Sequence, residues 1–273
     1  MKLDTILIDI ADGIATITLN RPHKKNAMNP ALHRDMTTAL DRLRYDAAAR
    51  VLLITGAGDA FCGGMDLKEF FSDLKDDPAE YDRVYRMATE WRGRTLRYYP
   101  KPTIAVINGY CFGGAFSIVE GCDLAIAAEE ATFGLSEINF KLFPGGSVSK
   151  SLANLLRPRD ALWYGMTGQP FDGNVAAQIG FVNKAVPLAK LGDTVRDVAL
   201  QIAQKDPWAL KATKDAVRRV GEMTYDNAED FLVRAQEAAN SYDNDGRKEG
   251  IKQFIDDKTF KPGLSAYDRS KTR

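Results

Sequence analysis

With 273 residues, 45% of them hydrophobic and 27% charged, the chain has the length and composition of a globular protein with one or two domains and a substantial core. Its 37 Lys and Arg balance its 37 Asp and Glu, so no net field draws it toward nucleic acid or an anionic membrane. No apolar run approaches the roughly 20 residues that a membrane-spanning helix needs.

In chain order, Ile6, Ile8 and Ile10 alternate onto one face, Asp12-Gly13 marks a turn, and Ile14–Leu19 continues the pattern, which predicts a β-hairpin. Asn29-Pro30 opens a stretch in which Leu32, Met36, Leu40 and Leu43 recur at helical spacing. Residues 51–55, an apolar run closed by Gly56-Ala57-Gly58, predict a strand covered on both faces. Residues 72–99 are charged and predicted helical. Thr103–Ile107, ended by Asn108-Gly109, and residues 123–127 predict two more buried strands. Beyond about Leu152 helical patterns dominate, over 194–204, 208–220 and 225–242. Strands before Phe140 and helices after it make an α/β core with a helical C-terminal region the expected fold class.

Several chemistries find no residues to carry them. His23 and His33 lack Cys or carboxylate partners at metal-ligand spacing and read as surface or capping residues. Gly56-Ala57-Gly58-Asp59-Ala60-Phe61 lacks the last glycine of a dinucleotide fingerprint, and no phosphate-loop Gly-Lys-Ser/Thr occurs. Gly145-Gly146-Ser147-Val148-Ser149 fails the nucleophile-elbow pattern at its last position, which disfavours a triad hydrolase. Cys62, Cys111 and Cys122 are odd in number and read as reduced, buried core thiols. The start, Met1-Lys2-Leu3-Asp4, becomes acidic too early for a secretory signal, so a cytoplasmic protein is expected.

Two glycine-containing turns remain, each after a predicted buried strand: Phe61-Cys62-Gly63-Gly64-Met65-Asp66-Leu67 and Tyr110-Cys111-Phe112-Gly113-Gly114-Ala115-Phe116. Glycine lets backbone approach a ligand closely and adopt positive φ. The first N–H groups of a helical turn lack internal acceptors. Each turn alone reads as a tight strand-to-helix connection. Two such N–H groups aimed at one point would hold a developing oxyanion.

The surroundings of these turns resemble the crotonase superfamily, in order and across nearly the whole chain. Asn20-Arg21-Pro22-His23-Lys24-Lys25-Asn26-Ala27-Met28 resembles its acyl-CoA binding opening. Gly64-Met65-Asp66-Leu67 resembles its first oxyanion turn, and Asn108-Gly109-Tyr110 through Gly114, followed by Cys122-Asp123-Leu124-Ala125-Ile126-Ala127, the second. Ala131-Thr132-Phe133-Gly134-Leu135-Ser136-Glu137-Ile138 resembles the stretch that carries the catalytic glutamate. Within the superfamily, Gly64-Met65-Asp66-Leu67-Lys68-Glu69, Cys111-Phe112-Gly113-Gly114, Phe133 through Asn139, Val148-Ser149-Lys150, Phe254-Ile255-Asp256-Asp257-Lys258 and Lys261-Pro262-Gly263 are similar to the hydroxycinnamoyl-CoA hydratase-lyase branch.

The resemblance implies a spiral core of ββα units over 1–200 and a helical trimerisation region over 201–273, with trimers or dimers of trimers. It implies an acyl-CoA thioester substrate, no metal or redox cofactor, and no nucleic-acid or membrane partner. The implied oxyanion hole is the Met65 and Gly114 N–H pair, and the implied general acid/base is Glu137. Ser117 stands where ordinary hydratases of the family carry a further glutamate, and would orient water or substrate. Lys24, Ala27, Gly63, Leu67, Ser136 and Phe140 match positions lining CoA or the acyl chain, and Phe70 and Phe71 would wall a ring. Two tyrosines that hold a phenolic ring hydroxyl in that branch align with Phe70 and Val233, neither of which can hydrogen-bond through its side chain. Tyr81, Tyr85 and Tyr225 are the candidate replacements. The implied reaction is hydration of an arylacrylyl-CoA and retro-aldol cleavage to an aromatic aldehyde and acetyl-CoA. A plain enoyl-CoA hydratase or isomerase is the alternative within the fold; a non-catalytic scaffold or RNA-binding member is the alternative outside catalysis.

Overall fold

The computed structural model describes residues 3–242, 244–259 and 268; Met1-Lys2 and the Lys261-Pro262-Gly263 segment quoted above lie outside the described residues. Strands β1 (Ile6–Ala11) and β2 (Ile14–Leu19) form the expected antiparallel hairpin. Asp12 and Gly13 both take positive φ, +52° and +80°, the turn whose twist matches that of paired strands. Helix α1 (Pro30–Tyr45) begins where Asn29 accepts a hydrogen bond from the Leu32 N–H, and it buries Leu32, Met36, Leu40 and Leu43 as their spacing requires.

Three successive units then repeat one plan, a long strand, a short strand and a helix. They are β3 (Val51–Gly56), β4 (Ala60–Cys62) and α2 (Pro78–Thr89); β5 (Thr103–Ile107), β6 (Tyr110–Phe112) and α3 (Phe116–Gly121); and β7 (Leu124–Ala128), β8 (Thr132–Gly134) and α4 (Val148–Leu155). Helix α5 (Pro158–Thr167), strand β9 (Phe171–Asp172), helix α6 (Gly173–Gln178), strand β10 (Lys184–Val186) and helix α7 (Leu188–Ala203) follow. The long strands build a six-stranded sheet in the order β1-β2-β3-β5-β7-β10, parallel from β2 onward. The short strands build a second sheet, β4-β6-β8-β9, in which the first three are parallel. Every residue of β5 is buried, as expected for a parallel strand covered on both faces.

The chain divides into two compact units, Met1–Ala203 and Gln204–Arg273. The second unit holds α8 (Pro207–Val220), α9 (Tyr225–Tyr242) and α10 (Asn244–Ile255), with α8 packed on α9. The α/β class with parallel sheets and a helical C-terminal region agrees with the expectation. Among the described residues no helix is long and apolar enough to cross a membrane.

The 72–99 stretch is largely helical, as expected, but in pieces: a wide helical turn at Leu67–Ser72 ends first, α2 starts anew, and a second wide turn spans Glu90–Thr95. Asp77 enforces the restart, since its carboxylate accepts from the Glu80 N–H and Pro78 supplies the φ of a first helical residue. His33 is not a surface or capping residue but fully buried on α1, accepting through Nδ1 from Trp91 Nε1 at 2.9 Å. Desolvation, with Arg92 and Arg34 adding to it, holds its pKa well below the usual histidine value, so the ring is neutral. The three cysteines are all buried, as expected.

Candidate active site

The short strands bring the site together. Cys62 stands opposite Cys111, Cys111 opposite Phe133, and Phe112 opposite Gly134. Three parallel strands in register end side by side, so the turns that leave their C-terminal ends emerge on one edge, where ligands of α/β sheets gather. The first carries Gly64 and Met65, the second Gly113 and Gly114, and the third Ser136, Glu137 and Phe140.

The first turn is pinned by the Asn20–Met28 stretch. Met28 N–H donates to the Gly64 carbonyl at 2.7 Å, and Asp66 N–H donates to the Met28 carbonyl at 2.9 Å. In that parallel bridge Met65 turns its own N–H away from Met28. Gly63 N–H donates to the Lys25 carbonyl at 2.7 Å. The buried Arg21 guanidinium ties the pieces together, reaching the Ala27 carbonyl at 2.5 Å, Asp66 at 3.1 Å and Glu69 at 2.6 Å. Burial pushes the Asp66 carboxyl up, but the Glu69 N–H and Arg21 outweigh it and hold the pKa below the usual value. Asp66 therefore stays an anion that caps the turn, accepting from the N–H groups of Lys68 and Glu69.

Gly64 joins the first turn to the second. Its φ is +92°, and a Cβ there would fall 2.8 Å from the Phe112 carbonyl oxygen and 3.5 Å from Gly114 N. Gly114 is the second residue of a tight turn, Gly113–Ala115, whose leading N–H groups have no acceptor within it. A Cβ on Gly114 would sit 3.2 Å from Met65 Cγ, so the two turns that carry the candidate donors are in close contact. Ser117, fully buried on α3, gives its hydroxyl hydrogen to the Gly114 carbonyl at 2.7 Å and accepts from Arg92 at 2.9 Å.

Glu137 completes the cluster from the third turn. A Cβ on Gly113, whose φ is +50°, would stand 2.7 Å from Glu137 Oε1, so a side chain there would strain the backbone and displace this carboxylate. Oε2 is buried with no hydrogen-bond partner. Desolvation raises the pKa above the usual glutamate value, and the lowering contribution of its own backbone N–H is smaller. The structural alternative, an ion-paired glutamate, finds no salt bridge in the described chain.

The sign of that shift gives a testable result. The folded state holds the Glu137 proton more tightly than the unfolded chain does. Its contribution to stability is therefore complete below the ordinary glutamate pKa and is lost as pH rises through the folded value. Glu137→Gln should consequently gain urea resistance over wild type on passing from mildly acidic to neutral buffer, with the two converging in acid. Equal midpoint differences in both buffers would show that the carboxyl is not desolvated.

Beside Met65 stands an aromatic cluster. Phe70, 1% exposed, meets Phe71, His33 and Tyr81 edge-on at 4.9, 5.6 and 5.7 Å between ring centres, and Tyr81 stacks on Tyr85. Phe71, Leu67 and Phe140 are exposed, Ser136 and Ala27 half-buried, and Lys24 lies on an exposed tight turn. Val233 and Tyr225 lie on α9 in the second unit. Sequence reasoning singled out neither Gly113 as the seat of Glu137 nor Arg92 behind Gly114. The first would follow from glycine next to a glutamate-bearing register; the second has no local signal, because Arg92 sits in a stretch that reads as a charged helix. Among the described residues no group of three His, Cys, Asp or Glu is arranged to hold a metal ion.

The family model described as enoyl-CoA hydratase/isomerase matches residues 9–262. The chain is 47% identical over 267 residues to the hydroxycinnamoyl-CoA hydratase-lyase of Pseudomonas fluorescens, covering 97% of each. It is 31% identical to the (E)-benzylidenesuccinyl-CoA hydratase of Thauera aromatica, covering 91% of this chain and 95% of that one. The solved enoyl-CoA hydratase of Bacillus anthracis superposes with a TM-score of 0.83 at 29% identity, covering 92% of this chain and 96% of that one.

Proposed function

The chain belongs to the enoyl-CoA hydratase/isomerase family, and from that premise we propose that it is a hydratase-lyase of arylacrylyl-CoA thioesters, with Glu137 as acid/base and the Met65 and Gly114 N–H groups as oxyanion hole. The observation that carries the assignment of roles is the carboxylate of Glu137, desolvated and half-unpartnered, seated on Gly113 where the two glycine turns meet. The likeness to a hydroxycinnamoyl-CoA hydratase-lyase over the whole chain supports the substrate class.

In this reading the thioester oxygen accepts from Met65 and Gly114. Glu137 takes a proton from water, the hydroxide adds to Cβ, and the displaced electron pair moves through Cα onto the thioester oxygen as an enolate. The acid form of Glu137 returns the proton to Cα, giving the β-hydroxyacyl thioester. Glu137 then takes the β-hydroxyl proton, the Cα–Cβ bond breaks, an aromatic aldehyde leaves, and the electron pair again rests on the thioester oxygen. Protonation of that second enolate at Cα yields acetyl-CoA and restores the carboxylate. A raised pKa suits a group that must hold and release the same proton. Gly63, Leu67, Ser136, Lys24, Ala27 and Phe140 would line the thioester arm, Phe70 and Phe71 the ring, and Ser117 would brace the second turn through the Gly114 carbonyl. The substrate carries its own CoA, so the proposed steps draw on no separate cofactor. Trimers or paired trimers, and a cytoplasmic setting, remain part of the proposal.

Incubation with feruloyl-, cinnamoyl- and crotonyl-CoA, with products identified by mass, tests the reading. Aldehyde with acetyl-CoA supports cleavage; a β-hydroxyacyl-CoA alone would make the protein a plain hydratase. The ring pocket adds a finer expectation. Specificity for a hydroxyl comes largely from buried polar groups left unpaired in its absence, and the buried Phe70 offers none. The preference for feruloyl- over cinnamoyl-CoA in kcat/KM should therefore be weak, and Phe70→Tyr should shift it toward the phenol by roughly tenfold, the upper end of a hydrogen bond's net worth. A strong wild-type preference would assign hydroxyl recognition to another residue, with Tyr81 and Tyr85 of the aromatic cluster the candidates.

A further inference from the structure

Arg92 lies in the wide turn Glu90–Thr95 and is 4% exposed, yet no carboxylate pairs with it in the described chain. Its hydrogen bonds all go to neutral oxygens: Nε donates to the Ala88 carbonyl at 2.9 Å, and Nη1 to the Gly114 carbonyl at 3.0 Å and to Ser117 Oγ at 2.9 Å. Desolvation lowers its pKa to about 10, which leaves it cationic at neutral pH. The titratable groups that face it do not compensate: Cys62 is pushed up to about 12 by burial and stays a thiol, Tyr85 is a phenol, and His33, whose pKa desolvation and Arg92 itself hold down, carries no negative charge.

A buried cation without an anion is costly to keep. Its Nη1 would stand 3.2 Å from a Cβ on Gly114, so the charge adjoins the glycine that offers one of the two hole donors. The only full negative charge the reaction places there is the enolate oxygen. We propose that Arg92 is a positioning residue that holds the Gly114 turn and places a standing positive potential behind the oxyanion hole, stabilising both enolates of the hydration and cleavage steps.

This inference rests on the thioester reading above, and it separates charge from bracing. A guanidinium acting at about 6–10 Å through an effective dielectric of about 20 corresponds to roughly 10- to 100-fold in rate. Arg92→Gln keeps hydrogen-bond donors but not the charge, whereas Arg92→Lys keeps the charge and loses the planar fork. The expected result is a fall in kcat of that size for Arg92→Gln, with little change in KM, and recovery of most of it in Arg92→Lys. A residue that merely braces the turn would give the opposite order, with Gln at or above Lys, and that order overturns the proposal.

A second measurement does not depend on turnover. In the Glu137→Gln background, cinnamoyl-CoA bound to the protein should absorb at longer wavelength than free thioester, because the hole polarises its carbonyl. Adding Arg92→Gln should shrink this shift while Kd changes little. Ser117→Asp, which leaves Arg92 in place but sets an anion against it, should shrink it equally. An undiminished shift in whichever of these variants folds overturns the proposal. Failure of wild type to form any product from arylacrylyl-CoA would instead sink the proposed function, and the two failures are distinguishable.

Discussion

Glu137→Gln should lower kcat by roughly 10²–10⁴, the usual worth of a general acid/base, while binding of the CoA thioester stays near wild type. The amide preserves the volume above Gly113, where a Cβ would lie only 2.7 Å from Oε1, so the turns should keep their geometry. It cannot cycle a proton at neutral pH. Hydration and cleavage both route their proton through this carboxyl in the proposed mechanism, so both should fall together. Steady-state kinetics and calorimetric binding of a thioester check the two halves. A near wild-type rate would remove Glu137 from the mechanism; hydration lost with cleavage of a supplied β-hydroxyacyl-CoA retained would assign the retro-aldol proton to another group.

The second large effect is expected from Gly114→Pro, which deletes one oxyanion donor, with a loss of roughly 10²–10³ in kcat. A side chain at Gly114 also crowds Arg92 Nη1, Met28 Cε and Met65 Cγ, each 3.2 Å from the new Cβ. Gly114→Ala separates the two causes, since it brings the crowding but keeps the N–H. The expected order of activity is wild type, then Ser117→Ala, then Gly114→Ala, then Gly114→Pro, read among variants whose circular dichroism is native. Ser117→Ala removes a hydroxyl whose hydrogen already goes to the Gly114 carbonyl, so it loosens the turn without removing a ligand donor. If Ser117→Ala were the most damaging, the serine would be a proton-transfer group. If Gly114→Pro matched Gly114→Ala, the Gly114 N–H would not be a donor to the substrate.

Local pattern was enough for the elements whose residues speak for themselves. Alternation from Ile6 and the Asp12-Gly13 pair determined the first hairpin, because only a positive-φ pair closes two twisted strands so tightly. The spacing of Leu32, Met36, Leu40 and Leu43 determined the buried stripe of α1. The runs 51–55 and 103–107 read as strands covered on both faces; the second is buried at every residue, and in the first only Leu53 and Thr55 are half-buried. The ordered motifs around Gly64, Gly114 and Glu137 were legible too, since each needs a residue type that few other positions tolerate.

The tertiary structure decided what lies beyond a window of neighbours. Strands β4, β6 and β8 are three residues each, too short to show a period, yet their pairing is what gathers onto one edge the turns at Gly64, Gly114 and Glu137, which are far apart in the chain. Polar residues carry no mark of burial in the sequence, because their cost is offset by partners distant in the chain. His33 became a neutral core ring only through Trp91, and Arg92 an unpaired interior cation only through Gly114 and Ser117. The sequence by itself determined which residues are candidates for the chemistry; the fold alone decided that the Glu137 carboxylate rests against Gly113, since that contact joins backbone of the β6 turn to a side chain from the turn after β8.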